Sequence, residues 1–277
     1  MSSRGAAVIT GAGSGIGRAL AQLCASRGYD LVLYDINGEE LETCAEEARR
    51  QGGRVSSRVL DVRDESAIAQ AAEEVSQEHG SVALLFNNAG VALGGRFEDT
   101  TPEDYRWLME INLFGVVNMT RSFLPLLRKH QPSARIVNIS SIFGIIAPAG
   151  QTAYSAAKFG VRGFSEALRH ELEDTSVGVT VVHPGGVATN IAKRAKLSPG
   201  ITEAEHKEAL KRAEKSLVMP PPRAAEIILD GAEAGKKRVL VGNDARFAAL
   251  VQQLLPVGYW DVLKRNAGLR LPKREES

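Results

Sequence analysis

Short apolar runs alternate with longer amphipathic stretches along most of the chain. Seven of the apolar runs have the length of strands, namely Ala6–Thr10, Leu31–Tyr34, Val55–Leu60, Val82–Phe86, Arg135–Ile139, Val179–His183 and Arg238–Val241. These runs are nearly continuous rather than alternating, as expected for strands covered by helices on both faces. Strands that alternate with helices form βαβ units. The pattern predicts an α/β fold with a doubly wound, mainly parallel seven-stranded sheet.

Helical periodicity fills the segments between these strands. The predicted helices are Gly15–Arg27, Glu39–Arg50, Ala67–Glu78, Pro102–Lys129, Thr152–Glu173 and Ala224–Ala234. At 277 residues the chain is near the upper limit for one hydrophobic core, so we expect a single domain over residues 1–277. Residues 188–222 are rich in charge and end in three prolines, which stop a helix. We predict that this segment is a substrate lid.

The C-terminal extension, residues 243–277, carries apolar residues at helical spacing. They are Phe247, Leu250, Val251, Leu254 and Leu255, with Pro256 interrupting the run. One interpretation is a surface helix that touches a membrane or admits a lipophilic substrate. The other is a helix that packs on its own subunit or on a partner's. Packing is favoured. The basic residues near the end are expected to form a solvated tail, and they are Lys264, Arg265, Arg270, Lys273 and Arg274.

Composition narrows the class of protein. Hydrophobic residues make up 44% and charged residues 24% of the chain, which is ordinary for a globular protein. The formal net charge of +1 provides no overall attraction to nucleic acid. No stretch has the pattern of a signal peptide or a membrane span. Cys24 and Cys44 lack metal-ligand spacing. We expect a cytoplasmic protein that binds neither a metal nor nucleic acid.

A glycine-rich turn joins the first strand to the first helix. It spans Thr10–Gly17 and has the pattern Thr-Gly-x-x-x-Gly-x-Gly. Glycines let the backbone approach a pyrophosphate closely, and a helix N-terminus offers unpaired N–H groups to it. In a strand–turn–helix context the pattern is a strong dinucleotide signal. The expected cofactor contacts in this turn are Gly11, Ser14, Gly15, Ile16 and Gly17.

Asp35 ends the second strand at the position where dinucleotide-binding proteins carry an acid, about 20 residues after the turn. A carboxylate there accepts hydrogen bonds from ribose hydroxyls and repels a 2′-phosphate. No Arg or Lys stands at Ser14, Ile36 or Asn37 to bind such a phosphate, so the sequence favours NAD over NADP. Two further strand ends are predicted to line the cofactor. They are Asp61-Val62, for which a helix N-cap is an equal alternative, and Asn88-Ala89-Gly90.

Tyr154 and Lys158 lie one helical turn apart, so their side chains share one face of the predicted helix. A free tyrosine has a pKa of ~10 and is a poor base at neutral pH. We expect Lys158, together with oxidised nicotinamide, to lower the pKa of Tyr154 by roughly 2–3 units, because nearby positive charge favours the phenolate. Alone the pair is a weak signal, since such pairs are common on helix surfaces.

In their order along the chain, these motifs resemble the short-chain dehydrogenase/reductase family from Ala6 to Thr189. The resemblance implies a Rossmann-type fold, a nicotinamide cofactor and a catalytic group of Asn112, Ser141, Tyr154 and Lys158. It implies that Tyr154 is the general acid/base and that Lys158 binds the nicotinamide ribose. It further implies that Ser141 holds the substrate oxygen and that Asn112 anchors a water behind Lys158.

The resemblance also assigns the end of the sixth strand and the residues directly after it. Pro184, Gly185, Val187 and Thr189 are expected to run beside the nicotinamide. His183 is interpreted as a structural histidine with satisfied hydrogen bonds, because Tyr154 already provides the acid/base. The late part of the chain resembles hydroxysteroid and retinol dehydrogenase-type members. By analogy we expect a homodimer or homotetramer built on the helices Pro102–Lys129 and Thr152–Glu173.

Apolar residues flank the catalytic group and indicate a hydrophobic secondary alcohol or ketone as substrate. They are Ile142, Phe143, Ile145, Ile146, Ala147, Pro148, Val91, Ala92 and Leu93. Arg96 and Arg194 leave an anionic substrate open. The alternatives to an NAD-dependent enzyme are an NADP-preferring carbonyl reductase and a non-catalytic dinucleotide-binding regulator. An epimerase or dehydratase on nucleotide sugars is disfavoured, because it needs a larger C-terminal domain.

Overall fold

The computed structural model describes residues 4–266, and a parallel seven-stranded sheet forms its centre. The strands of this sheet are β1 (Ala6–Thr10), β2 (Asp30–Asp35), β3 (Val55–Val59), β4 (Val82–Asn87), β6 (Ala134–Ile139), β7 (Val177–Pro184) and β9 (Arg238–Val241), and the short strands β5 (Leu93–Gly94) and β8 (Lys196–Leu197) pair with each other outside it. The sheet order is β3-β2-β1-β4-β6-β7-β9, and every neighbouring pair is parallel. All seven predicted strands are confirmed. The order reverses between β1 and β4, which in such sheets opens a ligand crevice at the carboxyl ends of the strands.

Helices cover both faces of the sheet. They are α1 (Gly15–Ser26), α2 (Gly38–Arg50), α3 (Glu65–His79), α4 (Pro102–Met109), α5 (Gly115–Lys129), α6 (Thr152–Glu171), α7 (Glu203–Ser216), α8 (Pro221–Glu233), α9 (Asn243–Leu254) and α10 (Tyr259–Asn266). One apolar core lies between the sheet and α1, α2 and α8, and another lies between the sheet and α3 and α5. Neighbouring residues Val8 and Ile9 of β1 enter opposite cores. The doubly wound α/β fold is therefore confirmed.

The predicted long helix Pro102–Lys129 contains a π-helical turn. Glu110–Phe114 forms this turn between α4 and α5. Asn112 lies at its centre, with its side chain bonded to the backbone of Val91. A π-helical turn inserts an extra residue into a helix, and such turns often occur at functional sites. Here the extra residue allows a polar side chain to leave the helix and reach the segment that follows β4.

Residues 188–222 contain the short strand β8, the helix α7 and the start of α8. β8 pairs in parallel with β5, and α7 begins with a capping box but buries none of its residues. The prediction that the prolines stop this helix is wrong. α7 already ends at Ser216, and Pro221 and Pro222 occupy the first turn of α8. Proline is tolerated there because first-turn N–H groups have no partner inside the helix.

The C-terminal extension forms α9 and α10, separated at Pro256. Its residues that are buried against Ile145 and Ile146 are Ala248, Ala249 and Leu263, with Val251 partly buried beside them. By contrast, the other four residues of the predicted apolar run are exposed: Phe247, Leu250, Leu254 and Leu255. The prediction that these four pack on their own subunit is wrong, because the face of α9 that approaches the core carries alanines. Contact with a partner stays a prediction.

Two other predictions concern the same end of the chain. Lys264 belongs to α10 and pairs with Asp261, so it is not part of a free tail. The predicted tail residues Arg270, Lys273 and Arg274 lie outside the described residues. Among residues 4–266, no helix combines the length and the apolar character needed to cross a bilayer.

Candidate active site

Close backbone contacts shape the glycine turn after β1. A Cβ atom on Gly17 would lie 2.0 Å from the Gly11 carbonyl oxygen, and one on Gly11 would lie 2.9 Å from the Cα atom of Ala89. Gly15 has a φ of 54°, in the left-handed region that favours glycine. The Ser14 side chain makes no capping bond, and the first turn of α1 carries no acidic residue. The helix N-terminus is therefore open to an anion, and the turn fits the pyrophosphate of a dinucleotide.

Thr10 and Asn88 tie this turn to the end of β4. The Thr10 hydroxyl accepts hydrogen bonds from the Asn88 and Ala89 amides, each at 3.0 Å. The Asn88 side-chain amide donates to the carbonyls of Thr10 at 3.0 Å and Gly11 at 3.1 Å. Asn88 was predicted to line the cofactor crevice, but these bonds could not be predicted from the sequence, because the partners are 77 and 78 residues apart. The turn and the end of β4 form one hydrogen-bonded unit.

Asp35 stands at the end of β2, beside the same turn. Its Oδ2 accepts from the Gly13 amide at 2.8 Å, and its Oδ1 accepts from the Asn37 amide at 2.9 Å. These bonds orient the carboxylate and still leave each oxygen a second lone pair. Asp35 therefore retains acceptor capacity for two ribose hydroxyls, as its predicted role requires.

Asp61 lies two residues beyond β3. The Arg63 guanidinium bonds to its carboxylate and holds the pKa of Asp61 below its ordinary value. The alternative for Asp61 was a helix N-cap region, and in that region the capping residue of α3 is Asp64, which accepts from the Ala67 amide at 2.9 Å. Val62 is buried, and a Cβ atom on Gly115 would lie 2.8 Å from it. Contact of Asp61 and Val62 with a cofactor stays a prediction.

Tyr154 and Ser141 meet at the carboxyl edge of the sheet, where α6 begins and β6 has ended. Burial raises the pKa of Tyr154 to about 12, and the hydrogen bond with Ser141 acts in the opposite direction. The Ser141 hydroxyl also accepts from the Phe143 amide at 3.1 Å. The expected lowering of the Tyr154 pKa by Lys158 is not found in the protein alone, because removal of the phenolate from water dominates. A contribution from oxidised nicotinamide stays a prediction.

Lys158 is buried beside Tyr154. Its Nζ atom donates to the Ile139 carbonyl at 3.0 Å and lies 5.6 Å from the centre of the Tyr154 ring. Burial lowers the pKa of Lys158 to about 8. The Ser140 hydroxyl donates to the Lys158 carbonyl at 2.9 Å, which ties α6 to the end of β6. The geometry thus brings Tyr154 and Lys158 together, as the spacing predicts.

Asn112 is fully buried behind Lys158. Its Oδ1 accepts from the Val91 amide at 2.8 Å, and its Nδ2 donates to the Val91 carbonyl at 2.9 Å. A Cβ atom on Gly90 would lie 3.3 Å from Asn112 Oδ1 and 3.5 Å from Lys158 Nζ. Both side chains therefore lie against Gly90. The predicted role of Asn112 as the anchor of a water is not tested by these contacts.

His183 is fully buried at the end of β7. Its Nδ1 lies 2.9 Å from the Ser141 carbonyl oxygen, and because a carbonyl only accepts, the proton is on Nδ1. Its Nε2 is buried, and no residue in the described range 4–266 provides it with a hydrogen-bond partner. The interpretation of His183 as a satisfied structural histidine is therefore right for one ring nitrogen and wrong for the other. Burial lowers the pKa of His183 to about 4, so the ring is neutral at pH 7.

The segment after β7 lies between α9 and the glycine turn. The Gly186 amide donates to Asp244 Oδ2 at 2.6 Å, and a Cβ atom on Gly185 would lie 2.2 Å from the same oxygen. A Cβ atom on Gly15 would lie 3.0 Å from Thr189 Cγ2, so the segment touches the turn. Asp244, at the start of α9, was missed in the sequence analysis. Three predicted cofactor contacts are buried or half-buried at this edge: Ile16, Pro184 and Val187.

Five of the nine apolar residues predicted to flank the substrate divide into two groups. Ile145 and Ile146 are buried beneath α9 and α10, and Leu93 is buried beneath α4 and α6. These three belong to the core, which corrects their prediction as an open wall. Phe143 and Val91 are half-buried and remain near the tyrosine, with the Phe143 ring edge-on to it at 6.1 Å between centroids.

Two cavities lie away from Tyr154. One of 620 Å³ opens at the amino ends of the strands, where its lining includes Arg4, His79, His130 and Arg135. Another of 590 Å³ is lined by residues that include Pro148, Ser155, Phe159 and Trp260. Ser155 and Phe159 point away from the α6 face that carries Tyr154. Neither cavity contains the grouping of Tyr154, Ser141 and Lys158.

Comparison with known proteins agrees with this geometry. The family described as short chain dehydrogenase matches residues 5–199, most of the chain. The chain therefore belongs to the short-chain dehydrogenase family and is an oxidoreductase.

Individual proteins resemble it over long stretches. SadH of Mycobacterium tuberculosis is 39% identical over 255 residues, which cover 91% of each chain. The 3-ketodihydrosphingosine reductase of Bacteroides thetaiotaomicron is 37% identical over 191 residues, covering 69% of this chain and 67% of that protein. A short chain dehydrogenase/reductase from Burkholderia phymatum, crystallised in complex with NAD, aligns with a TM-score of 0.82 at 28% identity. That alignment covers 99% of this chain and 98% of the other.

Proposed function

We propose that the protein is an NAD-dependent oxidoreductase that transfers a hydride between nicotinamide and a hydrophobic secondary alcohol or ketone. The observation that carries this proposal is the grouping of Tyr154, Ser141 and Lys158 at the carboxyl edge of the sheet. A phenol bonded to a hydroxyl, with an ammonium nearby, is suited to moving one proton to or from an alcohol oxygen. When bound, NAD supplies or accepts the hydride at C4 of its nicotinamide ring.

Tyr154 acts as the general acid/base in this proposal. During oxidation its phenolate takes the proton of the substrate hydroxyl, and during reduction its phenol returns it. Ser141 donates a hydrogen bond to the substrate oxygen as negative charge develops there. Lys158, with a pKa of about 8, is mostly protonated at pH 7 and stabilises the phenolate. Because burial raises the pKa of Tyr154, alcohol oxidation is expected to become faster as the pH rises.

Asn112 is proposed to anchor a proton path behind Lys158, since both side chains lie against Gly90. The residues proposed to hold the cofactor are Gly11, Ser14, Gly15, Ile16, Gly17, Asp35, Asp61, Val62, Asn88, Ala89, Gly90, Tyr154, Lys158, Pro184, Gly185, Val187 and Thr189. Residues 188–222 are proposed to act as a lid, which the exposure of α7 supports. For the oligomer we propose a homodimer or homotetramer. This is supported by two exposed aromatic side chains, Phe114 directly before α5 and Phe159 on α6.

The proposed substrate class rests on the apolar surroundings of the tyrosine and on one relative. Phe143 and Val91 border Tyr154, whereas Arg194 is engaged by Glu40 in the first turn of α2. The name of one relative, 3-ketodihydrosphingosine reductase, describes a keto compound with a hydrophobic skeleton. This supports the same substrate class here.

Preference for NAD rests on the Asp35 carboxylate, whose two oxygens retain acceptor capacity for ribose hydroxyls. The Burkholderia phymatum structure with NAD supports the preference at the level of the family. An NADP-preferring carbonyl reductase is the second candidate, favoured by the position of Arg194 near Asp35.

The test is nicotinamide reduction by the purified protein with NAD and NADP in parallel, over small, aromatic, steroidal and long-chain secondary alcohols. Tyr154→Phe is expected to lower turnover by about 10²–10⁴-fold, the usual contribution of general acid/base catalysis. Binding of NAD should persist, because Tyr154 is only one of the proposed cofactor contacts and its ring is retained. Undiminished turnover in Tyr154→Phe would exclude this tyrosine as the acid/base. Tight NAD binding with no turnover on any alcohol would favour a regulator.

A further inference from the structure

Arg194 and Glu40 form an ion pair across the mouth of the proposed cofactor crevice. The Arg194 Nη1 atom donates to Glu40 Oε2 at 2.8 Å, and Nη2 donates to the other carboxylate oxygen, so the pair is bidentate. Arg194 comes from the segment after β7, whereas Glu40 lies in the first turn of α2. The two residues are 154 positions apart in sequence. The pair joins the two sides of the crevice, and half of the Arg194 side chain remains exposed.

This pair lies beside the proposed ribose acceptor. A Cβ atom on Gly13 would lie 3.0 Å from Asp35 Oδ2 and 3.0 Å from the Cβ atom of Glu40, so both acids border the same glycine. Arg194 is also within electrostatic reach of Asp35. A second cation near Glu40, Arg18, is itself held by Glu47 on α2. A ribose bound by Asp35 therefore has a carboxylate and a guanidinium as its neighbours.

We propose that Glu40 and Arg194 together set the discrimination between NAD and NADP. Glu40 opposes a 2′-phosphate by its own charge and engages the guanidinium that is best placed to bind that phosphate. Arginine binds phosphate in the same two-pronged geometry that it uses for a carboxylate, so the two groups compete for Arg194. The inference rests on the proposed dinucleotide site, and it adds two specificity residues to the role of Asp35.

A purely structural role for the pair predicts something different. If the ion pair only holds the segment after β7 in place, its loss should weaken NAD and NADP alike, because both share the pyrophosphate and the nicotinamide. A specificity role changes the ratio of the two dissociation constants. That ratio is the readout that separates the two interpretations.

The experiment is calorimetric titration of the full chain with NAD and with NADP, without substrate. Glu40→Gln is expected to tighten NADP binding about tenfold, or ~1.4 kcal/mol, and to leave NAD binding within about twofold. Arg194→Met is expected to weaken NADP binding severalfold, because Glu40 is then unpaired beside the phosphate. In the double variant the gain for NADP should disappear. All of these differences should shrink at high salt, since exposed charges are screened.

Glu42→Gln and Arg49→Met provide the matched control, because Glu42 and Arg49 form an exposed ion pair on the same helix at 2.6 Å. Neither should change the ratio of the dissociation constants. Thermal unfolding checks that each variant is folded, and little change is expected because exposed ion pairs contribute about 0–1 kcal/mol. An unchanged ratio in Glu40→Gln, or a double variant that binds NADP as tightly as Glu40→Gln alone does, overturns the inference.

The outcome for the wild type separates this inference from the proposed function. A wild type that prefers NADP overturns the proposed preference for NAD, but the variants still decide whether Glu40 and Arg194 influence it. A wild type that binds neither dinucleotide overturns the proposed function and this inference with it.

Discussion

The glycine turn and the C-terminal helices differ in the kind of contact that holds them. In the turn, backbone meets backbone: a Cβ atom on Gly17 would lie 2.0 Å from the Gly11 carbonyl oxygen. In α9 the contacts with the core are made by side chains, and these are small, as with Ala248 and Ala249. The large apolar residues of the same helix, such as Phe247, face outward.

This difference determines how each region responds to substitution. A backbone contact has no rotamer through which to relax, so one added methyl group forces the chain itself to move. An exposed side chain on a helix face moves freely and contributes little to stability. The turn should therefore lose both stability and ligand affinity after a minimal change, whereas the outer face of α9 should tolerate a drastic one.

Gly17→Ala is expected to have the largest effect. The added Cβ atom would also lie 2.6 Å from Asn88 Nδ2, so it would clash both with the Gly11 carbonyl and with the side chain that bonds to it. We expect a loss of about 3 kcal/mol in the free energy of unfolding, at the upper end of the usual cost of overpacking. Affinity for NAD should fall by more than tenfold, because the turn has to open. Denaturant unfolding and calorimetric titration measure the two effects.

Gly163→Ala is the matched control. Gly163 lies in α6 on the exposed surface, and a Cβ atom there would meet no atom within 4 Å. Alanine in a helix interior is more stable than glycine by roughly 0.8–1.0 kcal/mol, so this variant should gain stability and bind NAD normally. A Gly17→Ala protein as stable as the wild type would contradict the backbone argument.

Local sequence patterns explain why the glycine turn, the sheet and part of the candidate active site were predictable. The residues of the turn are contiguous, and short apolar runs mark the strands of the sheet, most clearly the fully buried β1 and β4. Tyr154 and Lys158 are one helical turn apart, so helix geometry alone brings them together. In each case the spacing along the chain determines the spacing in space.

Contacts between distant segments were not predictable in this way. Asp244 reaches Gly186 from 58 residues away, and no local signal marks either residue as a partner of the other. Periodicity also failed for α9. It shows that Leu250 and Leu254 share a face, but it does not say which face turns inward. The π-helical turn at Asn112 depends on a bond to the backbone of Val91, which no helix propensity encodes.

His183, which is fully buried in β7, is expected to make the stability of the protein depend on pH. Its pKa is about 4 in the folded protein and about 6.5 when unfolded, so between these values the unfolded chain binds more protons. Stability therefore falls as the pH drops from 6.5 towards 4. His183→Asn removes this titration but keeps a donor at this position. The loss of unfolding free energy between pH 7 and pH 5 should be smaller by about 2 kcal/mol in the variant.

The control for this experiment is His170→Asn, because His170 is exposed on α6. That change should leave the difference between pH 7 and pH 5 unaltered. Urea unfolding at pH 7 and at pH 5 measures how much unfolding free energy each protein loses on acidification. If His183→Asn loses as much stability as the wild type on acidification, the buried neutral imidazole is not what limits stability in acid.

The smallest effect is expected on the outer face of α9. Leu254 is 69% exposed, so Leu254→Gln should change the free energy of unfolding by less than about 0.5 kcal/mol. Ala249→Gln on the inner face is the contrasting variant, since it forces a larger polar group into the contact with Ile145 and Ile146 and should cost about 1–3 kcal/mol. Urea unfolding of both proteins gives the comparison directly. A cost above 1 kcal/mol for Leu254→Gln that disappears on dilution would mean that another copy of the chain covers this face. The same cost at every concentration would mean that the side chain packs within its own subunit, and the contrast between the two regions would then be wrong.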